Sequence, residues 1–249
     1  MAKATNLSTT SRFHNLSNEA QKKPRSPGLK FYLERRAPSP TACQYILPNV
    51  LREFKESFPQ CVIHIEPGDT PVALELLHNH RIDLALALEP RNLGPLEFRP
   101  LFRDQLQFLV SSLHDWAKNR RVERGNIVDQ RFILYNRTSY MADLIETYFR
   151  NEGIVLPTFI ELGNMEAIKE LVKLGLGISL LPLWSVSEDA RRGSLCILRL
   201  ANRQLFSVTG VLYRKSAYLP TAVRALLGVA QDWKTWLPHA GDVFPINDQ

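Results

Sequence analysis

The chain has 249 residues, 45% of them apolar and 22% charged, which is enough for one large domain or two lobes around a sizeable core. No apolar run reaches the length of a membrane span, and the N-terminus lacks the apolar segment of a secretory signal. Three cysteines, Cys43, Cys61 and Cys196, form no CxxC pair, so a reduced, cytoplasmic protein without a membrane partner is expected.

The net charge of +6 has a definite location. Residues 1–37 carry eight basic and two acidic residues, and the remaining chain carries 23 of each. The basic character therefore belongs to a leading tail and not to a folded groove, and its few aromatic residues form no regular series of the kind a single-strand binding surface would need. Residues 1–28, rich in Ser, Thr, Asn, Lys and Pro, predict a disordered basic tail. The same composition also fits an organelle transit peptide.

Regular alternation begins at residue 29. "GLKFYLE" reads as a short strand, although its continuation Glu34-Arg35-Arg36 is unusual for a central parallel strand. In "TACQYILPNVLREFKESFP", Ile46, Leu47, Val50, Leu51, Phe54 and Phe58 recur at helical spacing, and Pro59 ends the helix. "CVIHIEPG" is a strand closed by Pro-Gly. "TPVALELLHNH" predicts a helix with Thr70 as N-cap and Pro71 at the first helical position. "IDLALAL" has the continuous apolar character of a strand buried on both faces. This β–α–β–α–β order implies a parallel sheet with right-handed crossovers.

"LEFRPLFRDQLQFLVSS" then predicts two extended segments with a break between them. A second β–α–β–α–β unit follows. It consists of strand "RFILY", helix "YMADLIETYFRNEG", strand "TFIEL", helix "NMEAIKELVKLG" capped by Asn164 and ended by Gly175, and strand "LGISLLP". A long extended stretch, "QLFSVTGVLYRK", and a closing helix, "PTAVRALLGVAQDWKTWL", complete the pattern. The expected fold is α/β: two Rossmann-like lobes joined by crossover strands, with a cleft between them. Ligands in such sheets sit beyond the carboxyl ends of the strands.

Candidate ligand residues lie at the strand-to-helix turns. They are Ser39 and Thr41 before the first long helix, Thr70, the run Asn136, Arg137, Thr138 and Ser139, and Asn164. Each of these residue types also caps helices, which is the plainer explanation for any one of them. Cys43 lies in the first turn of a helix, where the dipole favours a thiolate, but a semi-buried thiol explains it as well. His78 and His80 fall on different faces of a helix and match a solvated C-terminus better than a metal site. "GLGISLLP" follows a helix and precedes a strand, the reverse of a phosphate-binding turn. No Ser/His/Asp set or carboxylate pair is arranged for catalysis, so neither enzyme activity nor a cofactor is expected.

"SPTACQYILPNVLREFKESFP", "GDTPVALELLHNHRIDLALAL", "PLFRDQLQFLV" and "NMEAIKELVKLGLGISLLP" followed by "GSLCILRL" resemble, in order, the effector-binding domain of LysR-type transcriptional regulators. The resemblance spans roughly residues 38–238. It implies lobes of the periplasmic-binding-protein type, lobe I near 29–104 plus 214–238 and lobe II near 105–213, with a C-terminal tail from 239 to 249. It also implies that a small-molecule effector touches the strand-to-helix turns, with Thr41, Thr70 and Thr138 foremost, and that the domain forms a homodimer or homotetramer, possibly with intact regulator subunits. The family reads DNA through an N-terminal helix-turn-helix. Residues 1–37 show no helix-period pattern of that length, so a truncated regulator without sequence-specific DNA binding of its own is expected. A stand-alone periplasmic-type solute-binding protein, or an enzyme on the same scaffold, are the alternative readings.

Overall fold

Two β–α–β–α–β runs produce two half-sheets with the same strand order, joined through one shared antiparallel strand pair. The computed structural model describes residues 29–34, 51–122, 124–200, 204–216, 219, 221–230 and 244–245. In the first unit β1 (Leu29–Glu34), β2 (Ile63–Gly68) and β3 (Leu84–Leu88) are parallel in the order β2-β1-β3. The charged end of β1 is compatible with its central place. Glu34 is the last residue of the strand and lies opposite Gly68, at the carboxyl rim. Every residue of β3 is buried, as its unbroken apolar run requires.

Residues 51–57 form a helix, α1, that buries Phe54 and is followed by Phe58, the two rings stacking at 4.9 Å. The Lys55 ammonium donates to the Pro59 and Cys61 carbonyls at 2.8 and 2.9 Å, closing the helix end where Pro59 stops it. The expected start of this helix lies outside the described residues, as do Ser39, Thr41 and Cys43. Helix α2 (Thr70–His78) corrects one expectation: its N-cap is Asp69, not Thr70. Asp69 has extended backbone and accepts from the Val72 N–H at 3.2 Å. Thr70 is the first helical residue, which moves Pro71 to the second, where a missing N–H is still harmless. His78 and His80 are exposed at the helix C-terminus.

β4 (Leu96–Ser111) and β9 (Leu205–Arg214) cross from one sheet to the other. The expected break in the first of them is a bulge. β4 is a continuous 16-residue strand whose register against β9 shifts between Pro100 and Phe102. Proline has no N–H for the ladder, and a bulge accommodates that gap without ending the strand. Gly210 lies opposite Pro100, and a side chain there would meet the Arg99 carbonyl and the Phe98 ring. In its C-terminal half β9 pairs with β3, giving β2-β1-β3-β9.

The second sheet repeats that plan. β5 (Phe132–Tyr135) pairs in parallel with β6 (Thr158–Leu162), and Phe132 bridges in parallel to Ile178 beside β7 (Ser179–Pro182). β7 runs antiparallel to the second half of β4, giving β6-β5-β7-β4. β8 (Leu195–Leu198) covers the other edge of β4, and a short β10 (Phe244–Pro245) pairs with it at Phe102 and Arg103. Helices α3 (Asp115–Asn119), α4 (Tyr140–Asn151) and α5 (Met165–Lys173) flank this sheet, and α7 (Thr221–Ala230) follows β9. Phe108 of β4 anchors the core here, with Trp116, Phe132 and Phe149 rings centred 5.7, 6.4 and 6.0 Å away. A separate apolar cluster, including Ala73, Leu77, Ile82, Ala85 and Leu212, serves the first sheet.

Helix α6 (Leu183–Arg191) and strand β8 were not anticipated. α6 starts at Pro182 with no side-chain cap, so its sequence carries no start signal. Its anchor is ionic. The nearly buried Lys169 ammonium of α5 meets the carboxylates of Asp189 and Glu166 at 2.9 and 2.8 Å and donates to the Ser185 carbonyl at 3.2 Å. Lys173 reaches the same Asp189 at 2.7 Å and Glu170 at 2.8 Å. Burial by itself would raise the Asp189 carboxyl, but hydrogen bonds from Lys173 and Lys169, reinforced by their charges, outweigh it and hold the group below its ordinary 3.8. Burial would likewise lower the Lys173 ammonium, and hydrogen bonds to Asp189 and Glu170 keep it above its ordinary 10.5.

Two stability measurements check this architecture. Gly210→Ala is expected to cost about 1–3 kcal/mol in urea unfolding, because a Cβ cannot fit against the opposing backbone. Asp189→Asn is expected to cost about 3 kcal/mol at neutral pH, since it removes the shared partner of two lysines. The lowered Asp189 carboxyl contributes above its unfolded value and loses that contribution as pH falls through the folded one, so the gap to the parent protein closes below 3.8. The Lys173 contribution is present below 10.5 and lost as pH rises above it.

Candidate functional site

In each sheet the central strand has a neighbour on either side reached by a crossover in opposite directions. In open sheets of this order the ligand position expected is beyond the carboxyl ends of the strands where the crossovers diverge, here β1 and β3, and β5 and β7. The turn from β5 into α4 holds four of the predicted residues. The Asn136 N–H donates to the Leu162 carbonyl at 3.1 Å, which joins this turn to the end of β6. The Ser139 N–H in turn donates to the Asn136 carbonyl at 2.9 Å. Ser139 is buried and is the N-cap of α4, its hydroxyl accepting from Ala142 at 3.2 Å. Arg137 and Thr138 are exposed between them.

Arg137 is held by a partner that sequence reading did not supply. Its Nε donates to Glu161 at 2.8 Å, across the ends of β5 and β6. The two residues stand 24 positions apart, and no local pattern relates them. Glu161 pairs with the guanidinium at the surface, so an anionic ligand at this turn would compete with a screened, exchangeable carboxylate. Asn164 caps α5 as expected, its side-chain oxygen accepting from Ala167 at 3.1 Å, and it is exposed.

Thr70 is differently placed from the others. It is fully buried, and its hydroxyl oxygen accepts from the Leu88 N–H at 3.2 Å, tying the start of α2 to the end of β3. The side chains of Thr70, Ser139 and Asn164 thus each serve a backbone N–H, and Thr138 is exposed at the surface of the turn. The structure brings Asn136, Arg137, Thr138 and Ser139 together with the end of β6. Ser39 and Thr41 lie outside the described residues.

Where the two strands cross, the pair is polar. Asp104, Gln105, Ser207 and Thr209 are all buried there, with Asp104 opposite Ser207 and Phe102 opposite Thr209. Asp104 accepts from the Gln105 N–H at 2.8 Å. Asp104 and Gln105 are adjacent in a polar run, Arg103-Asp104-Gln105, while Ser207 and Thr209 alternate with apolar residues, so no shared spacing marks the four as a set. Among the described residues no group of His, Cys, Asp and Glu could hold a metal ion, and Cys61 and Cys196 are free thiols. No helix among them is long and apolar enough to cross a membrane.

Two sheets of order 2-1-3, each completed by a crossing antiparallel strand, define a two-lobed binding domain of the periplasmic-binding-protein type. Residues 37–234 match the family described as LysR substrate binding domain, and the chain belongs to that family. Among curated proteins it is similar to the HTH-type transcriptional activator CmpR of Synechocystis, at 26% identity over 75% of this chain and 62% of that one. It is also similar to the transcriptional dual regulator GltC of Bacillus subtilis, at 28% over 59% and 49%. The chain thus spans about three-fifths or less of these relatives. Among solved structures it superposes on the effector binding domain of QuiR in complex with shikimate, with a TM-score of 0.71 at 20% identity, covering 85% of this chain and 98% of that one. The regulatory domain of MetR, a LysR family regulator from N. meningitidis, gives 0.71 at 22%, over 88% and 98%.

The Thr70 contact has a direct test. Thr70→Val keeps the shape but strands a buried N–H at Leu88, and is expected to cost about 1–3 kcal/mol in urea unfolding. Thr70→Ser should retain most of the stability.

Proposed function

We propose that this chain senses a small polar or anionic metabolite for a LysR-family transcriptional regulator, holding it between the carboxyl ends of the two sheets. The observation that carries the reading is the turn 136–139 at the open end of β5, with an exposed threonine and a paired arginine, in a domain that matches the LysR family over residues 37–234. In this reading Thr138 and Asn136 contact the ligand directly, and Arg137 exchanges its partner Glu161 for a ligand anion. Ser39 and Thr41 are further candidate contacts, as the family resemblance implies. Thr70, Ser139 and Asn164 set the positions of the turns that carry those contacts.

The domain acts as a homodimer or homotetramer, in the cytoplasm, and carries out no chemistry on its ligand. Ligand binding shifts the balance between lobe arrangements by as much as its affinity for the two differs. DNA is reached through a helix-turn-helix unit outside residues 37–234. Relatives that are transcriptional regulators support this role.

A thermal-shift screen of polar and carboxylate-bearing metabolites is the test. One metabolite should stabilise the protein, by about 2.7 kcal/mol at roughly a hundredfold excess over its Kd. Thr138→Ala and Thr41→Ala should each weaken binding by up to about tenfold in calorimetry, the loss of one hydrogen bond. A comprehensive screen with no shift would contradict the reading.

A further inference from the structure

The loop between β3 and β4 belongs to the first unit, and α4 to the second, yet the two are joined by three polar contacts. The Arg91 N–H donates to the Tyr140 hydroxyl at 2.9 Å. Its guanidinium Nη2 donates to the Thr147 hydroxyl at 2.7 Å and pairs with the Asp143 carboxylate at 2.9 Å. Positions 140, 143 and 147 fall on one face of α4, so a single side chain and its own amide address a full two turns of helix.

The arm that presents Arg91 is stiff. Pro90 and Pro95 flank it, Glu89 extends the ladder to β9 through Val208 at 2.9 Å, and the Asn92 side chain accepts from Gly94 at 3.0 Å. Gly94 has φ +51, a conformation that other residues adopt at a cost. The receiving side is stiff too, because Tyr140 packs against the core of the second unit and follows the Ser139 cap. The bond itself is yielding. The Arg91 and Asp143 side chains are 61% and 43% exposed, where water and salt screen an ion pair.

We propose that Arg91 and the Tyr140–Asp143–Thr147 face of α4 form a clasp that fixes the angle between the two lobes and releases as a unit. Two rigid surfaces joined by a screened contact make a two-position device, whereas the crossing strands alone supply a hinge. The clasp meets α4 at Tyr140, next to the 136–139 turn, so the lobe angle is set beside the turn that carries the candidate ligand contacts.

The inter-lobe distance is read by pulsed electron paramagnetic resonance on the full chain. Spin labels are placed at Glu75→Cys on α2 and Lys118→Cys on α3, with Cys43, Cys61 and Cys196 replaced by serine and labelled chains diluted with unlabelled ones. The parent protein should give one narrow distance distribution. Arg91→Ala with Tyr140→Phe removes all three contacts and should widen the distribution or shift it by a few ångströms, with the melting temperature little changed. The milder Asp143→Asn, or raised salt on the parent, should move it in the same direction by less. An unchanged distribution in the folded double variant would overturn the clasp. Should that variant not fold, an unchanged distribution in Asp143→Asn and at high salt would overturn it equally. The measurement needs no ligand, so its failure would leave the effector reading standing.

Discussion

The pairing of β4 with β9 is the constraint on which the rest of the structure depends. The two strands run antiparallel from Leu96–Arg214 to Leu106–Leu205, and each then completes a different sheet. A single ladder therefore closes the β2-β1-β3 unit with β9 and the β6-β5-β7 unit with β4. Both units are finished by strands of this one pair, which fixes where their carboxyl ends lie. Its weak point is chemical: Pro100 supplies no N–H and Gly210 supplies no side chain, and the bulge between Pro100 and Phe102 lets the ladder pass through that gap. Buried polar side chains at Asp104, Gln105, Ser207 and Thr209 follow at once, so the crossing is both hydrogen-bonded and polar where the lobes meet.

Against this shared ladder the two units are held in different ways. The first relies on apolar strands such as β3 and on the buried hydrogen bond that ties Thr70 to Leu88. The second combines the Phe108 aromatic cluster with an ionic lock on α6, whose start lacks any cap of its own. A cluster that shares Asp189 between two lysines is sensitive to losing one member, because the remaining charges stay half-desolvated. Surface ion pairs such as Arg91–Asp143 and Arg137–Glu161 are of the opposite kind: weak, screened and suited to exchange.

The repeated β–α–β–α–β order was legible because continuous apolar runs such as "LALAL" and helical spacings such as Met165, Ile168 and Val172 are strong local signals. The cap Asn164 was legible from its residue type just ahead of a periodic helix, whereas Ser139 was one of four candidates at its turn. Asp69 is masked in the sequence because Thr70-Pro71 imitates a cap followed by a first-turn proline. Only the backbone shows that the extended residue is one position earlier. α6 carries no local signal because it is anchored by Lys169 and Lys173 on another helix. The site was legible as a set of turns but not as chemistry. The partners Glu161 for Arg137, Leu88 for Thr70 and Tyr140 for Arg91 are all distant in sequence, and no periodicity encodes them.

The central claim is that a metabolite binds between the carboxyl ends of the two sheets. A crystal structure of the chain with a metabolite that stabilises it tests this most directly. The account predicts the ligand between the ends of β1 and β3 and the 136–139 turn, within hydrogen-bond reach of Thr138 or Asn136. A ligand seated on the outer edge of β2 or β6, away from that turn, would contradict it.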